Sequence, residues 1–234
     1  MNKKIRIVGL SFFFCGFLHA QNKNITIQFV PYYNNSPLVL KNNWYVTTNG
    51  EDSITIDLLK LYVGNFVFNG TSNKEFKNYY LLNAAEDSSL KIQFKLPKTY
   101  AFKALEFNVG VDSTTTLKGV LNGSLDPLNG MYWTWNSGYI HAKLEGSCKN
   151  CQVFRNMFQF HIGGYKAPFN ANKKIKLPIT SNNTLLSKIL IKINVASWFK
   201  NIDFKGQVSI MQPNAKAMQL ADNFTNSFSI ISYH

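Results

Sequence analysis

The sequence predicts an all-β protein, an antiparallel β-sandwich with long loops and one short C-terminal helix. Short stretches of β-branched and aromatic residues recur along the chain, with turn residues between them. Several stretches alternate polar and apolar residues, as in residues 90–96, where Lys91, Gln93 and Lys95 separate the apolar positions. Of the 234 residues, 45% are hydrophobic and only 16% are charged. This composition supplies a core and excludes an intrinsically disordered chain.

The predicted strands follow from this pattern. They cover residues 25–33, 53–68, 79–82, 90–96, 105–109, 140–145, 153–162, 175–179, 189–195, 207–211 and 228–232. Gly64 and Asn65 interrupt the long stretch 53–68 and predict a bend or bulge there.

One helix is expected near the C-terminus. Pro213 and Asn214 open it, and Pro213 suits the first turn because its missing N–H is harmless there. The residues at helical spacing are Ala217, Leu220, Ala221 and Phe224. No repeat or linker-like stretch divides the chain, so we expect residues 21–234 to form a single domain.

The first twenty residues have the layout of a secretory signal peptide. Basic residues at positions 3, 4 and 6 precede a short apolar run, which ends in a small residue, Ala20. We expect cleavage after Ala20 and a secreted or periplasmic product. No later stretch is long and apolar enough to span a bilayer, so no transmembrane segment is expected after cleavage.

The chain is basic, with a formal net charge of +13. Its lysines are dispersed, and neither an arginine-rich run nor a nucleic-acid-binding motif is present. A solvated basic surface is therefore the simplest interpretation, and no nucleic-acid partner is expected. Weak attraction to acidic polymers of the cell envelope remains an alternative.

Two tryptophans stand in a long predicted loop, residues 121–138. Trp133 and Trp135 are two residues apart, so in an extended chain their side chains would point the same way. Large aromatic residues in a loop either close one end of a core or face a ligand. The residue types alone leave both interpretations open.

Two histidines are candidate metal ligands. His161 ends an apolar strand and precedes Gly163 and Gly164, which let the backbone approach closely. It is either a ligand for copper or zinc, or a half-buried histidine bonded to a loop carbonyl. His141 shares a strand face with Lys143, where a surface histidine is expected.

Cys148 and Cys151 form a C-x-x-C pair between two predicted strands. In an oxidising compartment the first expectation is a disulfide bond that closes the loop. The alternative is a soft-metal site, because two thiolates at this spacing bind Cu(I) or zinc. Four-ligand zinc would need two further partners, and no second cysteine pair exists.

The usual catalytic signatures are missing from the sequence. It contains no G-x-S-x-G, no H-E-x-x-H, no phosphate-binding glycine loop and no dinucleotide fingerprint. We therefore expect a protein that is not an enzyme.

Several segments resemble the MbnP-like family, the methanobactin-associated, copper-binding periplasmic type. The most specific is Gly130-Met131-Tyr132-Trp133-Thr134-Trp135-Asn136-Ser137-Gly138-Tyr139-Ile140. Supporting segments are Lys143-Leu144-Glu145-Gly146, Phe160-His161-Ile162-Gly163-Gly164, Gly110-Val111-Asp112-Ser113, Leu125-Asp126-Pro127 and Leu59-Lys60-Leu61-Tyr62-Val63-Gly64-Asn65. The resemblance covers nearly all of the chain after the signal peptide.

This resemblance implies a secreted β-sandwich that binds copper for scavenging, storage or delivery. It also implies that a di-haem peroxidase-like partner oxidises one tryptophan to kynurenine. Trp133 and Trp135 match the family's tryptophan pair, as modified residues or as the wall of the site, and His161 matches its histidine. His141 is the weaker candidate ligand. The cysteine pair does not belong to the family pattern.

The alternative is a non-metal interaction module. Its aromatic loop, residues 131–139, would bind a glycan or a protein of the cell envelope by stacking on Trp133 and Trp135. The position of His161 separates the two hypotheses, because a copper site requires the imidazole and the indoles to lie together.

Overall fold

The computed structural model describes residues 21–50, 52–135, 138–180, 186–206 and 208–234. The predicted signal peptide, residues 1–20, lies outside this range. The strands are β1 (Asn22–Tyr33), β2 (Ser36–Pro37), β3 (Tyr45–Val46), β4 (Ser53–Ile54), β5 (Leu58–Gly70), β6 (Lys74–Asn83), β7 (Lys91–Pro97), β8 (Phe102–Val109), β9 (Tyr132–Trp133), β10 (Gly138–Ser147), β11 (Met157–Gly163), β12 (Tyr165–Lys166), β13 (Phe169–Asn170), β14 (Lys173–Pro178), β15 (Lys188–Asn194), β16 (Ser209–Ile210) and β17 (Phe228–Tyr233). The α-helices are α1 (Ser113–Thr116) and α2 (Ala215–Phe224).

Two larger sheets make up most of the fold. In the five-stranded sheet the order is β17-β15-β1-β2, and β7 also pairs with β1. In the eight-stranded sheet the order is β14-β8-β5-β10-β11-β16, with β6 beside β5 and β9 beside β10. Most pairs are antiparallel, but β1–β15 and β11–β16 are parallel. The predicted all-β class is confirmed.

The main core lies between the two sheets. Phe29 of β1 meets Phe107 of β8 at a ring-centroid distance of 5.6 Å, and Phe94 of β7 meets Phe66 of β5 at 4.9 Å. The alternation in β7 explains this arrangement, since its apolar side chains are buried and its lysines and glutamine are exposed. Full burial of each such phenylalanine stabilises the fold by about 1.5–3 kcal/mol.

A second apolar cluster covers the outer face of the eight-stranded sheet. In β5, Leu61 and Val63 belong to the main core, so Tyr62 between them points to the opposite face. We call the group around Tyr62 the outer cluster. Its members are Tyr62, Tyr79, Val111, Leu125, Met131, Trp133, Tyr139 and Ile140. The long predicted loop folds back over the sheet and supplies three of them, Leu125, Met131 and Trp133.

The strand boundaries differ from prediction where turns intervene. The predicted stretch 153–162 becomes strand only from Met157, because residues 154–156 form a 3₁₀ turn with Arg155 at φ 59°. The bend predicted at Gly64 and Asn65 is present as a register shift between β5 and β6.

The C-terminal helix is confirmed with a different first turn. Asn214 is the N-cap, and its side chain accepts a hydrogen bond from the backbone N–H of Ala217 at 2.8 Å. Pro213 therefore lies outside the first turn, on the N-terminal side of the cap. Within the described ranges, neither helix is long and apolar enough to cross a membrane.

Candidate metal centre

A β-bulge between β10 and β11 shapes the candidate site. Ile140 pairs with Gly163 and Ala142 pairs with Ile162, which leaves His141 as one extra residue on β10. A bulge of this kind changes the direction of a side chain and is frequent beside functional sites. Because of the bulge, His141 does not follow the regular alternation that predicted it on the same strand face as Lys143.

His161 is held by a carboxylate on the neighbouring strand. Its Nε2 lies 2.6 Å from Oε1 of Glu145, and Nζ of Lys143 lies 3.6 Å from the same oxygen. Strand register explains the contact: Lys143 is directly opposite His161, and paired residues project from the same face of a sheet. The neighbours Phe160 and Ile162 point into the main core, so His161 lies on the opposite face of β11. It is nevertheless only 6% exposed.

The surroundings of His161 favour the neutral imidazole. Burial lowers the pKa of His161, and the positive charge of Lys143 acts in the same direction, while the hydrogen bond that the imidazole donates to Glu145 and the charge of that carboxylate oppose both. A carboxylate only accepts, so Nε2 carries the proton that Glu145 binds. In this tautomer Nδ1 is the ring nitrogen with the free lone pair.

His141 is completely buried, and the prediction of a surface histidine is wrong. Neither ring nitrogen makes a hydrogen bond of good geometry with the described residues. Gly110 lies against the ring, since a Cβ at that position would be 2.5 Å from Nδ1. The bulge and the turn at Gly110, which has φ 101°, together enclose the imidazole.

His141 is also neutral in this environment. Burial lowers its pKa to about 4, although the backbone of Ala171 and the charge of Asp112 favour the protonated form. His141 and His161 thus have different immediate neighbours. The structure does not join them in one hydrogen-bond network.

Trp133 packs on β11 on the same face as His161. A Cβ added to Gly163 would be 2.7 Å from Cζ3 of Trp133, so the indole packs directly on this glycine. Gly163 is two residues beyond His161, and such residues project from the same face about 7 Å apart. The imidazole and the buried indole therefore lie on the same face of the sheet.

Trp135 is 62% exposed, whereas Trp133 is 5% exposed. The two side chains do not share one extended phase, because the chain enters a turn directly after Trp133. Their ring centroids are still 5.6 Å apart, with an interplanar angle of 40°. Of the two indoles, Trp135 therefore faces solvent, and Trp133 is buried in the outer cluster.

Several buried polar atoms around this site have no hydrogen-bond partner among the described residues. They are both ring nitrogens of His141, Nε1 of Trp133 and Oη of Tyr62. Burial raises the pKa of Tyr62, so the phenol is protonated. Most buried polar groups in proteins are paired, and a concentration of unpaired ones indicates a place where a ligand, ion or water binds.

Glu145, Gly110 and Tyr62 are functional candidates that sequence reasoning missed. Each meets a candidate residue only through strand pairing or a turn between distant segments. Glu145 stands in the same alternating stretch as His141, but its contact with His161 depends on the register of β10 against β11, which no local pattern reveals.

The cysteine pair lies away from this site, at the other end of β10. The sulfur atoms of Cys148 and Cys151 are within bonding distance, and their Cα atoms are 5.5 Å apart, a separation that a disulfide bond spans. Cys148 is seven residues beyond His141, roughly 20 Å along the strand.

Comparisons with known proteins agree with this architecture. The family model described as MbnP matches residues 22–216. A solved structure, MbnP from Methylosinus trichosporium, is similar with a TM-score of 0.58 and 12% sequence identity, covering 85% of this chain and 87% of the other. At this identity the structural match establishes the fold alone. No curated protein matches the sequence.

Proposed function

Since the chain belongs to the MbnP family, we propose that it is an extracytoplasmic protein that binds copper for scavenging, storage or delivery. The proposal is supported by a carboxylate-held imidazole of lowered pKa, His161, on the face of β11 against which the buried indole of Trp133 packs. We propose no catalytic activity for the chain.

His161 is the principal ligand in this proposal, through Nδ1. Copper binds neutral imidazole readily, and a hydrogen bond from the second ring nitrogen to a carboxylate orients the ring and makes the ligand more basic. Glu145 supplies that hydrogen bond at 2.6 Å. Lys143 keeps the carboxylate in place without competing for the metal, because an ammonium group has no lone pair.

His141 is the second candidate ligand. Its imidazole is neutral, fully buried and without a hydrogen bond of good geometry to the described residues, so the ring nitrogen that carries no proton is available to a metal. A buried, unpaired imidazole is unfavourable in the metal-free protein, and a metal–nitrogen bond would remove this cost.

Trp133 and Trp135 form the wall of the site, and one of them is the proposed target of oxidation to kynurenine. A di-haem peroxidase-like partner would provide the oxidising equivalents. In that chemistry two equivalents of peroxide would supply two oxygen atoms and be reduced to water as the C2–C3 bond of the indole is cleaved. Hydrolysis by one water molecule would then release the formyl group as formate. The aromatic amine and ketone that result are polar groups on the side of the sheet where His161 lies.

The exposure of Trp135 favours a second candidate function, an interaction module. An indole that is 62% exposed and lies next to a second, tilted indole can bind a glycan or a protein of the cell envelope. The location of His161 on the same face as Trp133 keeps the copper proposal ahead of this alternative.

Metal analysis and intact mass of protein secreted by its native host test the copper proposal. We expect about one copper per chain, or a fraction of it that is restored by added copper. Protein that contains no copper and gains none on addition of Cu(I) or Cu(II) would leave the interaction module as the better account.

A further inference from the structure

The loop between β10 and β11 brings two cysteines and a buried carboxylate together. Cys148 is 1% exposed and Cys151 is 3% exposed, although Lys149 and Asn150 between them are on the surface. The loop is fixed to β4, since the N–H of Lys149 donates to the carbonyl of Ser53 at 2.9 Å. Ile54 also forms an isolated bridge with Cys148.

Asp52 enters this arrangement from the hairpin of β3 and β4. It is 6% exposed, and one carboxylate oxygen, Oδ1, accepts hydrogen bonds from the N–H groups of Ser53 at 2.6 Å and Asn150 at 3.2 Å. The other oxygen, Oδ2, is buried and has no hydrogen-bond partner in the described part of the chain. A carboxylate oxygen left unpaired in the interior is costly, and a bound cation is one way to satisfy it.

The three residues have the geometry of an incomplete metal site. One ligand atom from each of Asp52, Cys148 and Cys151 lies within 4.8 Å of the others. Around a tetrahedral zinc ion, with Zn–S near 2.3 Å and Zn–O near 2.1 Å, ligand atoms are about 3.6–3.8 Å apart. The side chains therefore need to move by only about an ångström or two, and C-x-x-C is a spacing that zinc sites use.

We propose that the dithiol form of this loop binds a thiophilic divalent cation, zinc, through the sulfur atoms of Cys148 and Cys151 and the carboxylate of Asp52. A water molecule completes the tetrahedron. Binding converts two thiols to thiolates and releases two protons, so no electron transfer is involved. Formation of the disulfide removes both sulfur ligands, and the site therefore exists only while the loop is reduced.

The donor set favours zinc over Cu(I). Soft Cu(I) gains from the two sulfurs but little from a carboxylate, whereas zinc accepts sulfur and carboxylate oxygen together. If loss of the Asp52 carboxylate weakens binding of an ion strongly, the site suits zinc rather than Cu(I).

This inference goes beyond the proposed copper function. Cys148 follows Ser147, which pairs with Met157 of β11. Met157 is four residues before His161, so the cysteine pair and His161 are roughly 15 Å apart. Either site can be present without the other, and His161→Ala should leave the cysteine site unchanged.

Cadmium titration of reduced protein tests the proposal, because thiolate–cadmium bonds absorb in the ultraviolet. The disulfide is first reduced with a phosphine, which takes one oxygen atom from water and becomes a phosphine oxide as two thiols form; the phosphine is then removed without air. We expect reduced protein to bind one cadmium ion with thiolate–cadmium absorption and oxidised protein to bind none. Reduced protein without this absorption would overturn the proposal.

Two aspartate variants provide the matched comparison. We expect Asp52→Asn to weaken cadmium binding by tenfold or more, while Asp87→Asn, which removes the same charge from an exposed position, binds as wild type. Equal binding by Asp52→Asn and wild type would show that the carboxylate is not a ligand. If reduction unfolds the chain, cadmium should restore its near-ultraviolet circular dichroism, and failure to do so also overturns the proposal.

Discussion

The carboxylate of Glu145 and the imidazole of His161 meet across two neighbouring strands, with Oε1 and Nε2 2.6 Å apart. This contact fixes which nitrogen of His161 carries a proton and leaves Nδ1 for a ligand. The buried indole of Trp133 lies on the same face of β11. The copper proposal depends on this arrangement.

Replacing Glu145 tests whether the carboxylate orients the ligand. In Glu145→Gln the amide can donate to Nε2 or accept from it, so the tautomer is no longer fixed. We expect copper affinity to fall about 10–100-fold, the usual effect of losing such a partner. Copper titration against a competing chelator measures this.

Glu75→Gln is the control, because this substitution removes the same charge from an exposed position on β6. If Glu145→Gln and Glu75→Gln bind copper equally well, Glu145 has no role in orienting His161.

The burial of His141 predicts a specific loss of stability in acid. Its pKa is about 4 in the folded protein and about 6.5 in the unfolded chain, so the unfolded state binds the extra proton between these values. Above pH 6.5 the imidazole is neutral in both states, so its titration removes nothing from the free energy of unfolding there. The contribution of the neutral imidazole is lost as pH falls towards 4 and amounts to roughly 3 kcal/mol.

Urea denaturation of the metal-free protein at several pH values measures this effect. We expect His141→Leu to show a flatter dependence of the unfolding free energy between pH 6.5 and 4 than wild type. Parallel curves for the two proteins would show that His141 does not titrate in this window.

Gly163 is predicted to be required for the packing of Trp133. In Gly163→Ala the new methyl group would lie 2.6 Å from the carbonyl oxygen of Tyr139 and 2.7 Å from the indole. Backbone or indole must shift, and we expect destabilisation of about 1–3 kcal/mol together with altered tryptophan fluorescence.

Gly206→Ala serves as the control for this substitution. Its methyl group would approach only the flexible carboxylate of Asp203, at 3.0 Å, so a change within about 0.5 kcal/mol is expected. Equal stability of Gly163→Ala and wild type would contradict the close packing of indole on β11.

The positions of the two indoles predict which tryptophan is modified. Trp133 packs on the face of β11 that carries His161, and exposed Trp135, 5.6 Å away, is placed to pass oxidising equivalents inward from a partner enzyme. After coexpression with a di-haem peroxidase-like partner, we expect the intact mass to increase by about four units, the change from tryptophan to kynurenine. Trp133→Phe should abolish the increase and Trp135→Phe should slow it. Persistence of the increase in Trp133→Phe would contradict the assignment.

Local patterns predicted much of the fold. Alternation in β7 identified the buried Phe94, and the glycine at position 64 identified the irregularity in β5, because both effects depend on residues close together in sequence. The C-terminal helix followed from apolar spacing. Only its first residue differed, since Asn214 rather than Pro213 defines the start.

The candidate site was predicted less completely, because it depends on contacts between distant segments. The alternation around His141 indicated a surface position, but one extra residue in β10 and the turn at Gly110 bury it. The carboxylate of Asp52 accepts a hydrogen bond from the N–H of Asn150, which is 98 residues away in the sequence. Sequence periodicity contains no information on such pairings.

Copper titration of His161→Ala is the most direct test of the central claim that this imidazole binds the metal. The variant is compared with wild type and with His234→Ala, which replaces an exposed histidine at the C-terminus. We expect His161→Ala to lose one bound copper or to bind it at least tenfold more weakly. His234→Ala should match wild type. Equal stoichiometry and affinity in all three proteins, each folded by circular dichroism, would contradict the account.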